Sequence, residues 1–409
     1  MNIRALTGFL DPGWPLEPER IRSLAQTLQD ARAKLEDAGY EVQTIRLATP
    51  PPSEMGNPVP ADELLSLAKQ LEAECFVQGI DYASIGPAIP DRLEGYEAIP
   101  EVLSATESIF ASGLIADLET GLSLSAAKAC ARAIHAISSI SPDGFANLRF
   151  AALANVGSGA AFFPAAYHRG GRPALAVAPE AVDLAVTAFS DAETAQQAAR
   201  TLVERIEGHA SVISRLVQTA TEKDGVRFLG IDFSMAPFPD QSRSMGTALR
   251  AMGVPQVGLA GTTAAAAFLA DCLDRAQFRR TGFCGLLFPV LEDSVLAHQA
   301  AQGALRVQDL LLYSTVCGTG LDTIPLPGNT SPEALYALLL DLGALALRHD
   351  KPLTARLMPI PGKVAGDDIH FDFAYFADSR VMTLDAAPLG GMLEQSGFLH
   401  IGTHGPARL

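Results

Sequence analysis

Cys317 stands in Tyr313-Ser-Thr-Val-Cys-Gly-Thr-Gly-Leu-Asp322, between an apolar run and a glycine-rich turn. Backbone N–H groups exposed by such a turn lower a thiol's pKa and favour the thiolate, the nucleophilic form. A free cysteine is otherwise a small buried hydrophobe, but the flanking glycines point to close backbone approach. Asp322 follows in a strand-like run, placed to orient a partner. Further on, Lys351 precedes the otherwise apolar run Leu353–Met358 and Arg356 interrupts it. A guanidinium among Leu353, Ala355, Leu357 and Met358 is costly to bury unless it meets a carboxylate or an anionic ligand. Arg356 therefore reads either as an anion clamp with Lys351 or as half of an internal ion pair with Asp322 or Asp232.

Three earlier segments carry the same kind of signal. The run Val226–Ile231 ends in Asp232-Phe-Ser234, and period-two geometry points Asp232 and Ser234 the same way. Together they position a hydroxylated substrate or a cation, or else they cap the next helix. Arg149–Asn155 reads as a strand ending in Asn155, followed by the aromatic loop Phe162-Phe-Pro-Ala-Ala-Tyr-His168. Polar groups at a strand's carboxyl end sit where α/β folds collect ligands. His168 is either a proton carrier near neutral pH or an ordinary loop histidine. Glu292-Asp293 follow Phe288–Leu291; acids there first suit a helix N-terminus and only then a general base.

The elements that must hold these residues alternate. Ile3–Phe9 reads as a strand and Glu17–Tyr40 as a helix, with Ile21, Leu24, Leu28 and Leu35 near helical spacing. Val42–Leu47 is the next strand, then Thr49-Pro-Pro-Pro-Ser53 and a helix around Ala61–Cys75. Helical patterns recur at Glu193–Thr221 and Pro332–Arg348. Strands are expected at Leu148–Asn155, Val226–Phe233, Leu353–Pro359, His370–Tyr375 and Val381–Leu384. Such alternation over 409 residues argues for a mainly parallel α/β assembly, closed as a barrel or open and doubly wound. No linker separates independent units, so one large domain is expected over 1–409.

Composition narrows the partners. Forty-six acidic against 30 basic residues leave a net charge of −16, which repels nucleic acid. The uncharged stretches 150–168 and 252–270 are broken by Gly, Pro and polar residues, so no membrane span is expected. The start of the chain meets Asp11-Pro-Gly before any signal-like run forms. Five scattered cysteines without a CxxC pair fit reduced thiols in a cytoplasm. There is no GxGxxG after the first strand, no GxxxxGK[ST], no HExxH and no GxSxG with a downstream Asp and His; only Gly157-Ser-Gly159 approaches an anion-binding turn. No cofactor is predicted. A divalent metal would have to draw on His168 with Asp232, Glu292 or Asp322, without a recognisable ligand spacing.

Over residues 1–385 these segments resemble the bacterial and archaeal family known as domain of unknown function 711. The resemblance is carried by the Asn155 strand with Phe163-Pro-Ala-Ala-Tyr-His168, Asp232-Phe-Ser-Met-Ala-Pro237, Gly261-Thr-Thr263, Cys317–Gly328 and Lys351–Arg356. It implies a fold similar to the pyruvate formate-lyase-like glycyl-radical enzymes, a closed ten-stranded α/β barrel with a cysteine on an inner loop. Cys317 is the residue that would take that part. The Arg-Val-x-Gly-aromatic signature of the radical enzymes is missing from the C-terminal tail, residues 386–409, so the resemblance implies the barrel without the radical.

Two functions follow. One is an enzyme using polar chemistry on a small anionic or hydroxylated metabolite. Cys317 and His168 would act as nucleophile and proton partner, Asp232 and Asp322 as orienting groups, and Asn155, Ser234, Lys351 and Arg356 as binding groups. The other is a metabolite sensor on an enzyme scaffold. Both take a small molecule, and homo-oligomer formation is left open. Cys317, His168, Asp232 and Arg356 are expected to converge on one cavity.

Overall fold

The first strand, β1 (Asn2–Phe9), sets the pattern of the molecule. Its alternate side chains divide two environments, as strand geometry requires. Leu6 and Gly8 face the first helix, α1 (Pro18–Asp37), where a Cβ on Gly8 would come within 2.9 Å of Leu24 and Leu28. Ala5, Thr7 and Phe9 face the opposite way, onto a second, smaller apolar cluster. The helix itself follows from Ile21, Leu24, Leu28, Ala31 and Leu35 on one buried stripe, with Pro18 at its first turn.

The computed structural model describes residues 1–222 and 225–403; the last part of the predicted tail, 404–409, lies outside the described residues. The remaining strands are β2 (Ile45–Ala48), β3 (Tyr82–Ala88), β4 (Ile109–Asp117), β5 (Gly121–Ser123), β6 (Phe150–Ala154), β7 (Ala174–Glu180), β8 (Arg227–Ile231), β9 (Gly320–Pro327) and β10 (Leu353–Ile360), with three two-residue strands after them. Helices α2 (Leu64–Val77), α3 (Leu93–Ser104), α4 (Leu124–Ser138), α5 (Val182–Ser190), α6 (Ala195–Thr221), α7 (Met245–Ala251), α8 (Thr262–Arg275), α9 (Ser294–Ala301), α10 (Val307–Cys317) and α11 (Pro332–His349) lie between them. None among the described residues is long and apolar enough to cross a membrane.

The main sheet runs β8-β7-β1-β2-β3-β4-β6-β10-β9. Strands β1, β2, β3, β4 and β6 are parallel, as are β7 with β8 and β9 with β10. The two joins between these sets, β1 with β7 and β6 with β10, are antiparallel. The fold is thus mixed α/β with a large, mostly parallel sheet. Strand pairing leaves β8 and β9 as its ends, where a closed barrel was expected. Between those ends runs the segment 279–290, with isolated parallel bridges Ile231–Arg280 and Pro289–Asp322. Positive φ at Gly282 (69°) and Cys284 (44°) interrupts any longer ladder there. The strands expected at His370–Tyr375 and Val381–Leu384 are instead irregular, and Phe371, Phe373 and Phe376 pack with Phe145.

Two cores result. The larger lies between sheet and helices, with Leu6, Leu175, Val177, Leu321, Leu353 and Leu357 meeting helix stripes. The smaller, inner core is built from Ala5, Ala174, Ala176 and Ala178, whose small side chains leave room for Phe110 and for Phe163 from the loop after β6. That loop is fastened to the inner face where the Thr7 hydroxyl donates to the Ala161 carbonyl at 2.7 Å.

Candidate active site

Period two on β10 sends Leu353, Ala355 and Leu357 to the helix side and leaves Thr354 and Arg356 to line a cavity of about 410 Å³. Asp322 and Thr319 reach the same cavity from β9 and the turn before it, Arg4 from β1, Arg46 from β2, Tyr82 from β3 and Phe110 from β4. Glu292, on the loop before α9, adds a second carboxylate beside Asp322.

The charges form an alternating chain. Asp240 pairs with Arg243 at 2.6 Å, and Arg243 with Glu180 at 2.8 Å. Glu180 meets Arg4 at 3.2 Å, and Arg4 meets Glu292 at 3.8 Å. Arg356 then binds two carboxylates, Glu292 through Nη2 at 2.7 Å and Asp322 through Nε at 2.5 Å. Burial opposes the Arg356 charge, but Asp322 and Glu292 outweigh it and hold its pKa above the ordinary value. Burial raises the pKa of Asp322 despite Arg356, and the neighbouring Glu292 adds to the rise. Asp322 therefore keeps a proton more readily than a carboxyl in water.

Arg46 stands outside this chain. Its Nε donates to the Thr44 hydroxyl at 2.9 Å, and no carboxylate among the described residues lies within 4.0 Å of it. Its guanidinium carbon lies 5.2 Å from the Phe163 ring centroid and 5.8 Å from that of Tyr82. Phe110 meets both rings edge-on at 5.3 Å, so an aromatic cluster holds the cation in place. Burial, reinforced by the nearby Arg4, lowers the Arg46 pKa to about 10, against the pull of Tyr82 and Glu292. Arg149 also lines the cavity, but its guanidinium serves the end of α3, donating to the carbonyls of Leu103, Thr106 and Ile109.

Of the residues predicted from sequence, Arg356 and Asp322 are brought together at this cavity; the other six do not line it. Cys317 is the last residue of α10, and Gly318 at φ 85° ends the helix. Its thiol lies in the helix–sheet core, not on an inner loop, and burial pushes its pKa up to about 12 despite Lys351. Lys351 Nζ donates to the Thr315 carbonyl at 2.9 Å, closing the C-terminus of that helix. Asp232 accepts from the Phe283 and Cys284 amides at 2.9 Å each and from both the amide and the hydroxyl of Ser234, stapling the 279–290 segment to β8. His168 is 4% exposed, packs its ring 6.4 Å from that of Phe9, and borders a separate cleft of about 160 Å³. Asn155, at φ 56°, donates to Asp350 at 3.1 Å. The expected convergence of Cys317, His168, Asp232 and Arg356 is not found: a helix end claims Cys317, backbone amides claim Asp232, and His168 borders the separate cleft with its Nε2 buried and without a hydrogen-bond partner among the described residues. Among the described residues, no group of three or more His, Cys, Asp or Glu is arranged to hold a metal, and all five cysteines are free.

Comparison with known proteins gives the family of the chain. The family model described as Uncharacterised ACR (DUF711) matches residues 14–377, most of the chain. The chain belongs to the DUF711 family. Arg46, Glu292, Asp322 and Arg356 all fall inside the DUF711 match, whereas Arg4 precedes it. Among curated relatives, a protein of Pyrobaculum islandicum named UPF0210 protein is 31% identical over 94% of this chain and 90% of its own length. A UPF0210 protein of Oenococcus oeni is 28% identical over 95% of this chain and 88% of its own, and one of Methanopyrus kandleri 29% over 90% and 88%.

Among the charged cavity residues, Arg4 and Arg46 were not among the expected site residues, and Glu292 was expected only as a helix-start acid, a general base or a metal ligand. The signal that marked Arg356, a guanidinium inside an apolar strand, is equally present at Arg4 in Ile3–Phe9 and Arg46 in Val42–Leu47. Glu292 was masked by its neighbour. Asp293 performs the capping, accepting from the Val295 and Leu296 amides, which frees Glu292 for the cavity.

Proposed function

We propose that this DUF711 protein is an enzyme that binds a small anionic metabolite in the inner cavity and acts on it by polar, proton-transfer chemistry. Arg46 carries the reading: it is a half-buried guanidinium lining the cavity, buttressed by aromatic rings, with no carboxylate at ion-pair distance among the described residues. A cation so placed loses water and gains most from an anionic ligand. Asp322, with its raised pKa, and Glu292, held by Arg356 and Arg4, supply carboxyl groups beside the bound anion that can give or take a proton.

The closed ten-membered barrel belongs to the same proposal. Nine strands form the continuous path, and the segment 279–290 runs parallel to β8 at Arg280 and to β9 at Asp322. Counting that segment as a tenth stave groups β7 and β8 with β9 and β10 into a second parallel set of five, beside β1, β2, β3, β4 and β6. This division supports the resemblance to the pyruvate formate-lyase-like fold, with Phe163 rather than Cys317 on the inward loop.

A thermal-shift screen of carboxylates, phosphates and sugars, with product analysis of each hit, tests the function. Anions should raise the melting temperature of the wild-type protein, and Arg46→Gln should abolish the shift while retaining the fold. An anion-induced shift that survives Arg46→Gln overturns the site. Stabilisation of the wild type with no turnover of any hit replaces the enzyme by a sensor.

A further inference from the structure

We infer that the ligand of this cavity is a monocarboxylic acid carrying an aromatic or similarly bulky apolar body; the inference rests on the anion-binding reading above and narrows it.

Charge stoichiometry comes first. Four arginines line the cavity, yet Arg4 is shared by Glu180 and Glu292, Arg356 is held by Glu292 and Asp322, and Arg149 is spent on backbone carbonyls. Among the described residues, one lining cation, Arg46, remains to be matched. A second negative charge on the ligand would face Glu292 and Asp322, with the exposed Glu107 at the rim of the same lining, and like charges beside partly buried carboxylates repel more strongly than in bulk water. A phosphate monoester or a dicarboxylate is therefore disfavoured.

The hydrogen-bonding pattern agrees. Arg46 commits Nε to Thr44, which leaves its two terminal amino groups as the available fork. Two parallel N–H donors fit the two oxygens of one carboxylate.

Size and apolar lining supply the rest. The cavity of about 410 Å³ lies in the range of roughly 300–1,000 Å³ typical of sites for whole small-molecule ligands. A carboxylate, equivalent to two or three waters at about 30 Å³ each, fills only part of it. The remaining lining includes Phe110, Phe145, Leu148, Phe162, Phe163 and Phe373. Water against these rings is displaced favourably by an apolar body, and aromatic faces favour a ring at offset or edge contact.

Calorimetric titration of the intact protein with matched probes tests this: acetate, benzoate, phenylacetate, phthalate, succinate, inorganic phosphate and the uncharged benzamide. Phenylacetate or benzoate should bind at least tenfold tighter than acetate, and phthalate more weakly than benzoate. In Arg46→Gln, benzoate should fall to the level of benzamide. Phe162→Ala, a change at a half-buried loop residue, should weaken phenylacetate severalfold and leave acetate unchanged. If succinate or phosphate binds as tightly as phenylacetate and the binding depends on Arg46, the ligand class is wrong while the anion site stands. If no anion binds in an Arg46-dependent way, both fall.

Discussion

Asp232 and Asp322 are both buried, both belong to apolar strand signals in the sequence, Asp232 just past the end of β8 and Asp322 near the start of β9, and both have pKa values raised chiefly by burial. Their surroundings differ. Asp232 is saturated by neutral donors, three amides and one hydroxyl, so its charge is spent on holding a loop. Asp322 has one guanidinium partner, shares it with a second carboxylate, and borders open space. Burial and a perturbed pKa therefore do not distinguish a staple from a reactive group. What distinguishes them is whether the carboxyl's lone pairs are all taken by the fold and whether it faces a cavity.

The largest effect is expected at the staple. Asp232→Ala leaves the Phe283 and Cys284 amides and the Ser234 hydroxyl without their acceptor, and at about 1–3 kcal/mol for each orphaned group the loss should reach about 3–5 kcal/mol. Urea unfolding measures it directly, and a loss below about 1 kcal/mol would remove the distinction between the two aspartates. Gly282 sharpens the same point: its φ is 69° and an added Cβ would sit 2.0 Å from the Asp232 carboxylate, so Gly282→Ala should disrupt the same loop.

Asp322→Asn should cost less, about 1–2 kcal/mol at neutral pH, because Arg356 keeps Glu292. The pH dependence has a definite sign. A carboxyl with a raised folded pKa contributes stability below its unfolded pKa near 3.9 and loses it as pH rises through the folded value. The wild-type advantage over Asp322→Asn should therefore grow as pH falls from 7 toward 4. An advantage that shrinks instead would show that ion pairing, not burial, dominates this carboxyl. Ligand-dependent turnover should fall far more than stability does, whereas any residual activity of a folded Asp232 variant should keep its pH profile.

Cys317→Ala should have the smallest effect, about 1 kcal/mol on stability, with ligand affinity within twofold of wild type. The thiol's folded pKa of about 12 lies above that of an unfolded cysteine. Its stabilising contribution is therefore present below about pH 8.5 and is lost as pH rises toward 12. Alkaline unfolding of the wild type should be correspondingly steeper than that of Cys317→Ala, and slow labelling by thiol reagents at pH 8 is the companion measurement. Loss of turnover in Cys317→Ala with the fold intact would return the thiol to the mechanism.

The strand–helix alternation was legible because each signal is local. Apolar period two in Ile3–Phe9 and the stripe of Ile21, Leu24, Leu28 and Leu35 need no distant residue to form. The site was legible only at Arg356 and Asp322, where a guanidinium in an apolar strand demands a partner and the nearest strong candidate lies on the neighbouring strand β9. Cys317-Gly318 looked reactive because glycine marks both ligand-binding turns and helix ends. Here φ of 85° at Gly318 makes it a helix end. The reading of Glu292-Asp293 as a helix start was right for Asp293 alone.

The sequence by itself therefore determined the α/β class, the acidic surface, the families of buried side chains and the requirement that Arg356 be paired. It could not determine that β1 and β7, or β6 and β10, meet antiparallel, and those joins bring Arg4 and Arg356 to one chain of charges. Nor could it single out Arg46. Arg4, Arg46 and Arg356 carry the same local signature, and only the positions of Glu180, Glu292 and Asp322 after folding decide which guanidinium is left without a carboxylate among the described residues. Coulomb energies depend on distances between residues far apart in the chain, and tertiary structure alone supplies those distances.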